Sequence, residues 1–156
     1  MSGILKCVIF PATLILSLIV LACGEPESGQ LNESSDGDFA DVVNVTVSGS
    51  TGEYTFAVTI SSPDTGCEQY ADWWEIISED EALLYRRILR HSHVNEQPFV
   101  RSGGPVNISS DQEVWVRAHM NNVGYGGRVY YGSVEEGIEI GEMPEAFAWH
   151  LVQEQP

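Results

Sequence analysis

The stretch VVNVTVSGSTGEYTFAVTIS, residues 42–61, decides the fold class. Apolar residues first recur at every second position at Val43, Val45 and Val47, and after a turn of glycine, serine and threonine they recur in the same way at Tyr54, Phe56, Val58 and Ile60. Alternation with a period of two residues is typical of a strand that buries one face. The stretch therefore predicts a β-hairpin and not a helix.

The same alternation, interrupted by short polar turns, continues as far as residue 134. It predicts further strands at residues 72–78, 82–90, 113–120 and 128–134, with a short strand near 106–108. About seven short strands in a domain of roughly 100 residues, with a tryptophan on the third strand and Trp115 on the sixth, resemble an immunoglobulin-like or fibronectin type III-like architecture. We therefore expect an all-β fold, a seven-stranded β-sandwich over residues 42–143.

Residues 1–22 have a different character from the rest of the chain. A single positive charge, Lys6, precedes an apolar run that ends at Ala22, which is the layout of an export signal. The run closes with IVLAC, residues 19–23, and this resembles the lipobox of bacterial lipoproteins. The resemblance implies cleavage before Cys23 and lipidation of that residue. The alternative is that residues 1–21 are retained as an anchor helix of about minimal spanning length.

The lipobox implies a protein of the bacterial cell envelope, anchored to the membrane through its N-terminal lipid. Its domain would face the periplasm or the cell surface. Gly24 follows the cysteine where an acidic residue would favour retention in the inner membrane, so the resemblance favours an outer membrane where one exists.

The segments on either side of the predicted sandwich are poor in apolar residues. Residues 23–41 consist mainly of Gly, Ser, Asn, Asp, Glu and Pro, so they are expected to form a flexible acidic linker. Residues 144–156 form a C-terminal extension that either packs through Phe147, Trp149 and Leu151 or trails away from the domain.

The chain is strongly acidic. It carries 23 Asp and Glu against seven Lys and Arg, and Lys6 is its only lysine, so removal of the leader leaves six arginines and a formal charge of −17. Such a charge opposes binding to nucleic acid or to an anionic membrane surface. A hydrophobic content of 43% nevertheless allows a real core, which excludes a wholly disordered acidic protein.

The three cysteines do not predict a disulfide. If Cys7 leaves with the leader and Cys23 carries lipid, Cys67 is the single thiol of the mature domain. The negative charge of the neighbouring Glu68 would reduce the reactivity of this thiol. We therefore expect Cys67 to be buried and inert.

The outer face of the predicted sixth strand is the first candidate site. If Val114, Val116, Ala118 and Met120 face the core, then Trp115, Arg117 and His119 project outward together, beside Trp73 or Trp74 of the third strand. Aromatic and arginine side chains are enriched in recognition surfaces. Two readings remain open: this face binds a partner such as an envelope protein or a glycan, or the segment around Phe147 and Trp149 covers it as a second small core.

All six arginines lie between Arg86 and Arg128, which is the anomaly in an otherwise acidic chain. Cross-strand ion pairs explain this clustering most simply. The expected partners of the arginines are Glu75, Glu79, Asp72 and Glu113.

The motif His91-Ser92-His93 is the second candidate site. Residues i and i+2 of an extended chain point to the same side, so both imidazoles could bind one Zn²⁺ or Cu²⁺ ion if a third ligand were supplied. His119, Glu96 and Cys67 are the candidate third ligands. A hydrogen-bonded turn without metal is the alternative, and no cofactor is otherwise predicted.

The sequence contains none of the motifs expected for a catalytic nucleophile, a zinc protease or a phosphate-binding loop. We therefore expect a cell-envelope lipoprotein that carries a non-catalytic binding or accessory module. The alternative function is a metal-binding domain or metalloenzyme that uses His91, His93 and His119.

Overall fold

The structure, a computed structural model, describes residues 37–154. The predicted signal peptide of residues 1–22, the lipidation site Cys23 and most of the predicted linker lie outside the described residues. Strands are β1 (Asp41–Ser48), β2 (Tyr54–Ser61), β3 (Ala71–Ser78), β4 (Leu83–Ile88), β5 (Phe99–Val106), β6 (Val114–Met120), β7 (Val129–Ser133) and β8 (Gly137–Gly141). A short 3-10 helix spans Trp149–Gln153. Within this part of the chain, no helix has the length and apolar character of a membrane span.

The strands form two antiparallel sheets. One has the order β1-β2-β5 and the other the order β4-β3-β6-β7-β8. The predicted all-β sandwich is confirmed, but the described residues contain eight strands where seven were expected. The prediction missed β8, and it placed a short strand near 106–108 where β5 ends at Val106.

The main core lies between the two sheets. Phe56, Val58 and Ile60 of β2 and Trp74 and Ile76 of β3 are completely buried in it. Burying one such side chain stabilises the fold by about 1.5–3 kcal/mol before entropy is counted. The alternation predicted for β2 is therefore confirmed, because the apolar side chains on one of its faces build this core.

Strand β1 departs from the predicted alternation at its start. The pairing register of β1 with β2 shifts between Val42 and Asn44, which marks a β-bulge. Val42 is buried there and Val43 is only half-buried, so the prediction that Val43 begins the buried face is wrong by one residue. Strand β1 begins at Asp41 and Ala40 is buried, so two residues that were expected in the linker belong to the sandwich.

Strand β6 is buried on both faces. Val114, Val116, Ala118 and Met120 point into the main core, as the sequence predicts. The opposite face is covered by residues 142–154, which we call the C-terminal segment. Its side chains Phe147, Ala148 and Leu151 form a second core with Ile77, Trp115 and Val129.

Candidate functional site

A buried carboxylate organises the covered face of the five-stranded sheet. Glu75, on β3, has no solvent exposure, and it lies directly opposite Arg86 of β4 and Arg117 of β6 in the strand register. The Nε of Arg86 donates to Glu75 Oε2 at 2.7 Å, and the Nε of Arg117 donates to Glu75 Oε1 at 2.8 Å. One carboxylate therefore accepts charge-assisted hydrogen bonds from two guanidinium groups. Sequence reasoning expected arginine pairs but not their convergence on one glutamate.

Aromatic side chains complete the cluster. The hydroxyl of Tyr125 donates to Glu75 Oε1 at 2.8 Å, and the tyrosine ring lies 3.6 Å from the guanidinium of Arg117. Burial, followed by the negative charge of Glu75, raises the pKa of Tyr125 to about 12, so its hydroxyl remains a donor at neutral pH. The Nε1 of Trp73 donates to this hydroxyl at 3.2 Å, and Arg86 lies 4.7 Å from the Trp73 ring. We call Trp73, Glu75, Arg86, Arg117 and Tyr125 the arginine cluster.

The outer ends of both arginines bind main-chain carbonyl groups of the C-terminal segment. Arg117 donates from Nη1 to the carbonyl of Phe147 and from Nη2 to that of Ala148, both at 2.7 Å. Arg86 donates from Nη2 to the carbonyl of Leu151 at 2.7 Å and from Nη1 to that of Glu154 at 2.6 Å. These four bonds give acceptors to guanidinium donors that the docked segment shields from water.

The charges in the cluster do not cancel by themselves. Two guanidinium groups face one carboxylate, which leaves a formal excess of one positive charge in a buried site. Carbonyl oxygens carry partial negative charge, so the C-terminal segment balances this excess without contributing a charged side chain. The arginines therefore bind main-chain atoms of the segment, and these bonds do not depend on which side chains the segment carries.

The predicted binding-surface residues lie together on this face. Trp115, Arg117 and His119 project from β6 as expected, and Trp73 stacks on the His119 ring with 3.7 Å between ring centroids. The Nδ1 of His119 lies 2.7 Å from Asp72 Oδ1. Arg117 is only 1% exposed and Trp115 9%, so the face is not open.

The C-terminal segment covers this face, which was the second of the two possibilities that the sequence left open. Only one of the two aromatic residues expected in the cover contributes to it. Phe147 covers the face, with its ring centroid 5.6 Å from that of Trp115. Trp149 is 57% exposed and does not contribute to the cover. The expectation that Trp149 packs is wrong because its position in the 3-10 helix turns it to solvent, whereas Leu151, two residues later, faces the sheet.

The two histidines of the predicted metal motif lie together. The rings of His91 and His93 are 4.7 Å apart, but His93 is buried against Phe99 and neither of its ring nitrogens has a hydrogen-bond partner. Burial lowers the pKa of His93, as do the charges of Arg101 and His91, while Asp64 and Glu96 oppose the shift. His93 is therefore kept in its neutral form.

The histidines do not join a third ligand in the structure. Among residues 37–154, no group of three or more His, Cys, Asp or Glu side chains is arranged to hold a metal ion. His119 contacts Asp72 and Trp73 instead of the His91 and His93 pair. Binding of Zn²⁺ or Cu²⁺ by His91, His93 and His119 stays a prediction without support from this geometry.

Cys67 differs from expectation. It is an exposed free thiol in the connection between β2 and β3, where Gly66 and Gln69 form an isolated bridge. The prediction that Cys67 is buried is wrong, and its reactivity stays a prediction. Its position in a polar turn between two strands gave it no core to enter.

An acidic cleft lies at the end of the five-stranded sheet, and sequence reasoning did not identify it. Its lining includes six carboxylate side chains, those of Glu79, Asp80, Asp111, Glu113, Glu135 and Glu136. The Tyr131 hydroxyl lies 2.6 Å from a carboxylate oxygen of Glu113 and 2.9 Å from one of Glu79. The bond to Glu113 is the main reason why the pKa of Tyr131 is raised. The cleft concentrates negative charge.

Comparison with known proteins gives one informative similarity. The chain is similar to a protein of Halomicrobium mukohataei named "Putative lipoprotein", with 34% identity over 113 residues. The alignment covers 69% of this chain and 56% of the relative, so the chain spans about half the length of the curated relative it matches. No protein-family model matches the chain, and no solved structure matches it.

Proposed function

We propose that the protein is a lipid-anchored component of the cell envelope whose β-sandwich is a non-catalytic binding module. The anchoring part is supported by the export leader that ends in Ala22-Cys23 and by the relative named as a lipoprotein. Mass spectrometry of the membrane-bound protein tests it. We expect an N-terminal peptide that begins with lipid-modified Cys23, whereas a different mature N-terminus or an unmodified Cys23 would contradict the anchor.

The binding part rests on one observation: Arg86 and Arg117 present four donors to the main-chain carbonyls of the C-terminal segment. A sheet face that binds carbonyls, beside apolar contacts for two side chains, has the chemistry of a peptide-binding site. The segment then acts as a ligand that the chain supplies to itself. We propose that the face binds a peptide segment of this kind.

The chemistry of the face favours a peptide over the other partners considered. Nucleic acid would bring phosphates toward a domain with a large negative charge. Phe147 and Leu151 are the apolar anchors of the bound segment, and each is buried against the second core. A peptide supplies both the carbonyls and the apolar anchors, whereas a glycan has no side chains that could replace Phe147 and Leu151.

A labelled peptide of residues 142–156 tests this proposal with the full chain. In the wild type the peptide competes with the attached segment, so we expect weak binding. The double substitution Phe147→Ala and Leu151→Ala removes both anchors from the attached segment, each at a cost of about 2–5 kcal/mol. We expect the peptide to bind this variant at least about tenfold more tightly, as measured by fluorescence anisotropy.

Two controls make the experiment specific. Trp149→Ala changes an exposed side chain of the same segment and is expected to leave peptide binding at the wild-type level. A peptide that itself carries alanine in place of Phe147 and Leu151 is expected not to bind. If the double variant keeps its β-sheet circular dichroism but does not bind the natural peptide, the face is only a core and the binding module is rejected.

A further inference from the structure

We infer that the face also binds the C-terminal segment of a second copy of this chain, so that two copies exchange their segments. This inference rests on the proposed function, because it assumes that the face is a site for a peptide segment. The partner is another copy, because that copy carries a segment with the same carbonyls and the same anchors. The docking contacts of residues 147–154 in one chain can therefore be remade between two chains.

The carbonyl and anchor contacts of the segment come after its connection to the sheet, whereas Met143, before the connection, packs against the second core and has its Sδ atom 3.8 Å from Arg117. The carbonyls bound by the two arginines belong to residues 147–154, and the buried anchors are Phe147 and Leu151. The connection from β8 includes Pro144, Glu145 and Ala146, which are all exposed. Opening at this connection preserves the docked contacts of residues 147–154 and changes which chain supplies them, whereas Met143 stays with its own sheet.

The connection is also strained. The amide of Phe147 donates to the carbonyl of Pro144 at 3.1 Å and closes a tight turn. Ala146, inside this turn, has φ of 60°, a left-handed conformation that is unfavourable for a residue with a Cβ atom. Ala148 also has a positive φ of 50°, but it lies in the docked part and would keep that conformation in both arrangements. Exchange would relieve the strain at Ala146.

Anchoring and charge act on the exchange in opposite directions. Lipid anchors confine copies to one membrane plane and raise their effective concentration. The high negative charge of the chain makes two copies repel each other. Because salt screens this repulsion, the exchanged form is expected to increase with NaCl concentration.

Mixed disulfide formation between two single-cysteine chains tests the exchange. His150 Nδ1 of the segment lies 3.6 Å from Glu81 Oε2 of the sheet, so these two positions meet when the segment is docked. We use the full mature, lipid-anchored chain in detergent with Cys67 replaced by serine, because Cys7 leaves with the leader and lipid occupies the Cys23 thiol. One preparation carries Glu81→Cys, and the other carries His150→Cys and a mass tag. Each chain has one thiol, so a disulfide between positions 81 and 150 forms only if the segment of one chain lies on the face of the other.

We expect a mixed dimer on a non-reducing gel after the two chains are incubated together under mild oxidation. The matched control replaces Glu81→Cys by Val100→Cys, an exposed position on the other sheet, and is expected to give only background. Ala146→Gly removes the strain in the closed turn and should lower the mixed dimer by up to about tenfold. Ala146→Pro cannot adopt the closed turn, because proline fixes φ near −65°, and should raise it by a similar factor.

The possible results separate the two proposals. A mixed dimer at background level, with peptide 142–156 still binding the Phe147→Ala and Leu151→Ala variant, overturns the exchange and leaves the binding module intact. Failure of both experiments rejects both. If Ala146→Pro does not fold, the mixed dimer of the unmodified turn against the Val100→Cys control still decides the exchange, and equal yields with Ala146→Gly would contradict the role of strain at Ala146.

Discussion

Replacing Glu75 by glutamine is expected to lower the free energy of unfolding by about 3–5 kcal/mol, the usual cost of removing one partner of a buried ion pair. Glu75 is completely buried and accepts from Arg86, Arg117 and Tyr125. The amide keeps the size of the side chain but removes its charge, and its NH₂ group faces donors. Two guanidinium groups would then remain beneath the C-terminal segment with only carbonyls as acceptors.

Urea unfolding of the full chain measures this effect. Glu68→Gln, at an exposed position, is the matched control and is expected to leave the midpoint almost unchanged. Undocking of the segment would hydrate the arginines and limit the loss, so protease sensitivity after residue 142 should rise in the Glu75→Gln variant. A loss below about 1 kcal/mol with a protected segment would contradict the view that Glu75 is needed to neutralise the pair.

The strands that could be predicted from the sequence are those whose side chains alternate clearly between two faces of a sheet. Strand β6 places Val114 and Val116 in the main core because each of its faces meets a different apolar layer. Strand β8 was missed because GIEIG, residues 137–141, offers only two apolar residues in an edge position, and Ile140 is 65% exposed. An edge strand that is held mainly by backbone hydrogen bonds needs few apolar side chains, so its sequence shows little hydrophobic alternation.

The candidate site was predictable only in its side chains. The alternation that sends Val116 inward also sends Arg117 outward, and Glu75 among the apolar residues of WWEII, residues 73–77, is a signal of a paired buried charge. The meeting of Arg86 and Arg117 on one glutamate depends on the register of three strands, which alternation does not fix. The cover by main-chain carbonyls has no sequence signal, because every residue has a carbonyl.

Salt is expected to stabilise the folded domain. The chain without its leader has 23 acidic residues and six arginines, so most close pairs of surface charges are like-signed. Two of the six arginines, Arg86 and Arg117, are buried in the arginine cluster, and salt screens buried pairs less than exposed ones. Among residues 37–154, the remaining Arg–carboxylate salt bridge is the exposed pair of Arg101 with Glu96. Salt screening therefore weakens few attractive charge pairs on the surface.

We expect the repulsion that salt relieves to be concentrated in the acidic cleft. Six carboxylates from the β3–β4 turn, the segment before β6 and the turn between β7 and β8 line this cleft. The Debye length falls from about 10 Å at 0.1 M to about 3 Å at 1 M, which is shorter than the separation of most charges across a cleft. Stability should therefore rise with NaCl, and the cleft should contribute much of the rise.

Urea midpoints of the full chain across a series from 0.1 to about 1 M NaCl measure this rise, and two variants locate its source. The double substitution Glu135→Gln and Glu136→Gln removes two charges from the cleft, so it should raise the midpoint at low salt and reduce the gain at high salt. Glu53→Gln removes a charge from the β1–β2 turn, outside the cleft, and should leave most of the gain. A wild-type midpoint that stays flat or falls with salt would mean that the exposed pair of Arg101 and Glu96 outweighs the repulsion among the acids. An equal loss of the gain in both variants would mean that the repulsion is spread over the whole surface and not gathered in the cleft.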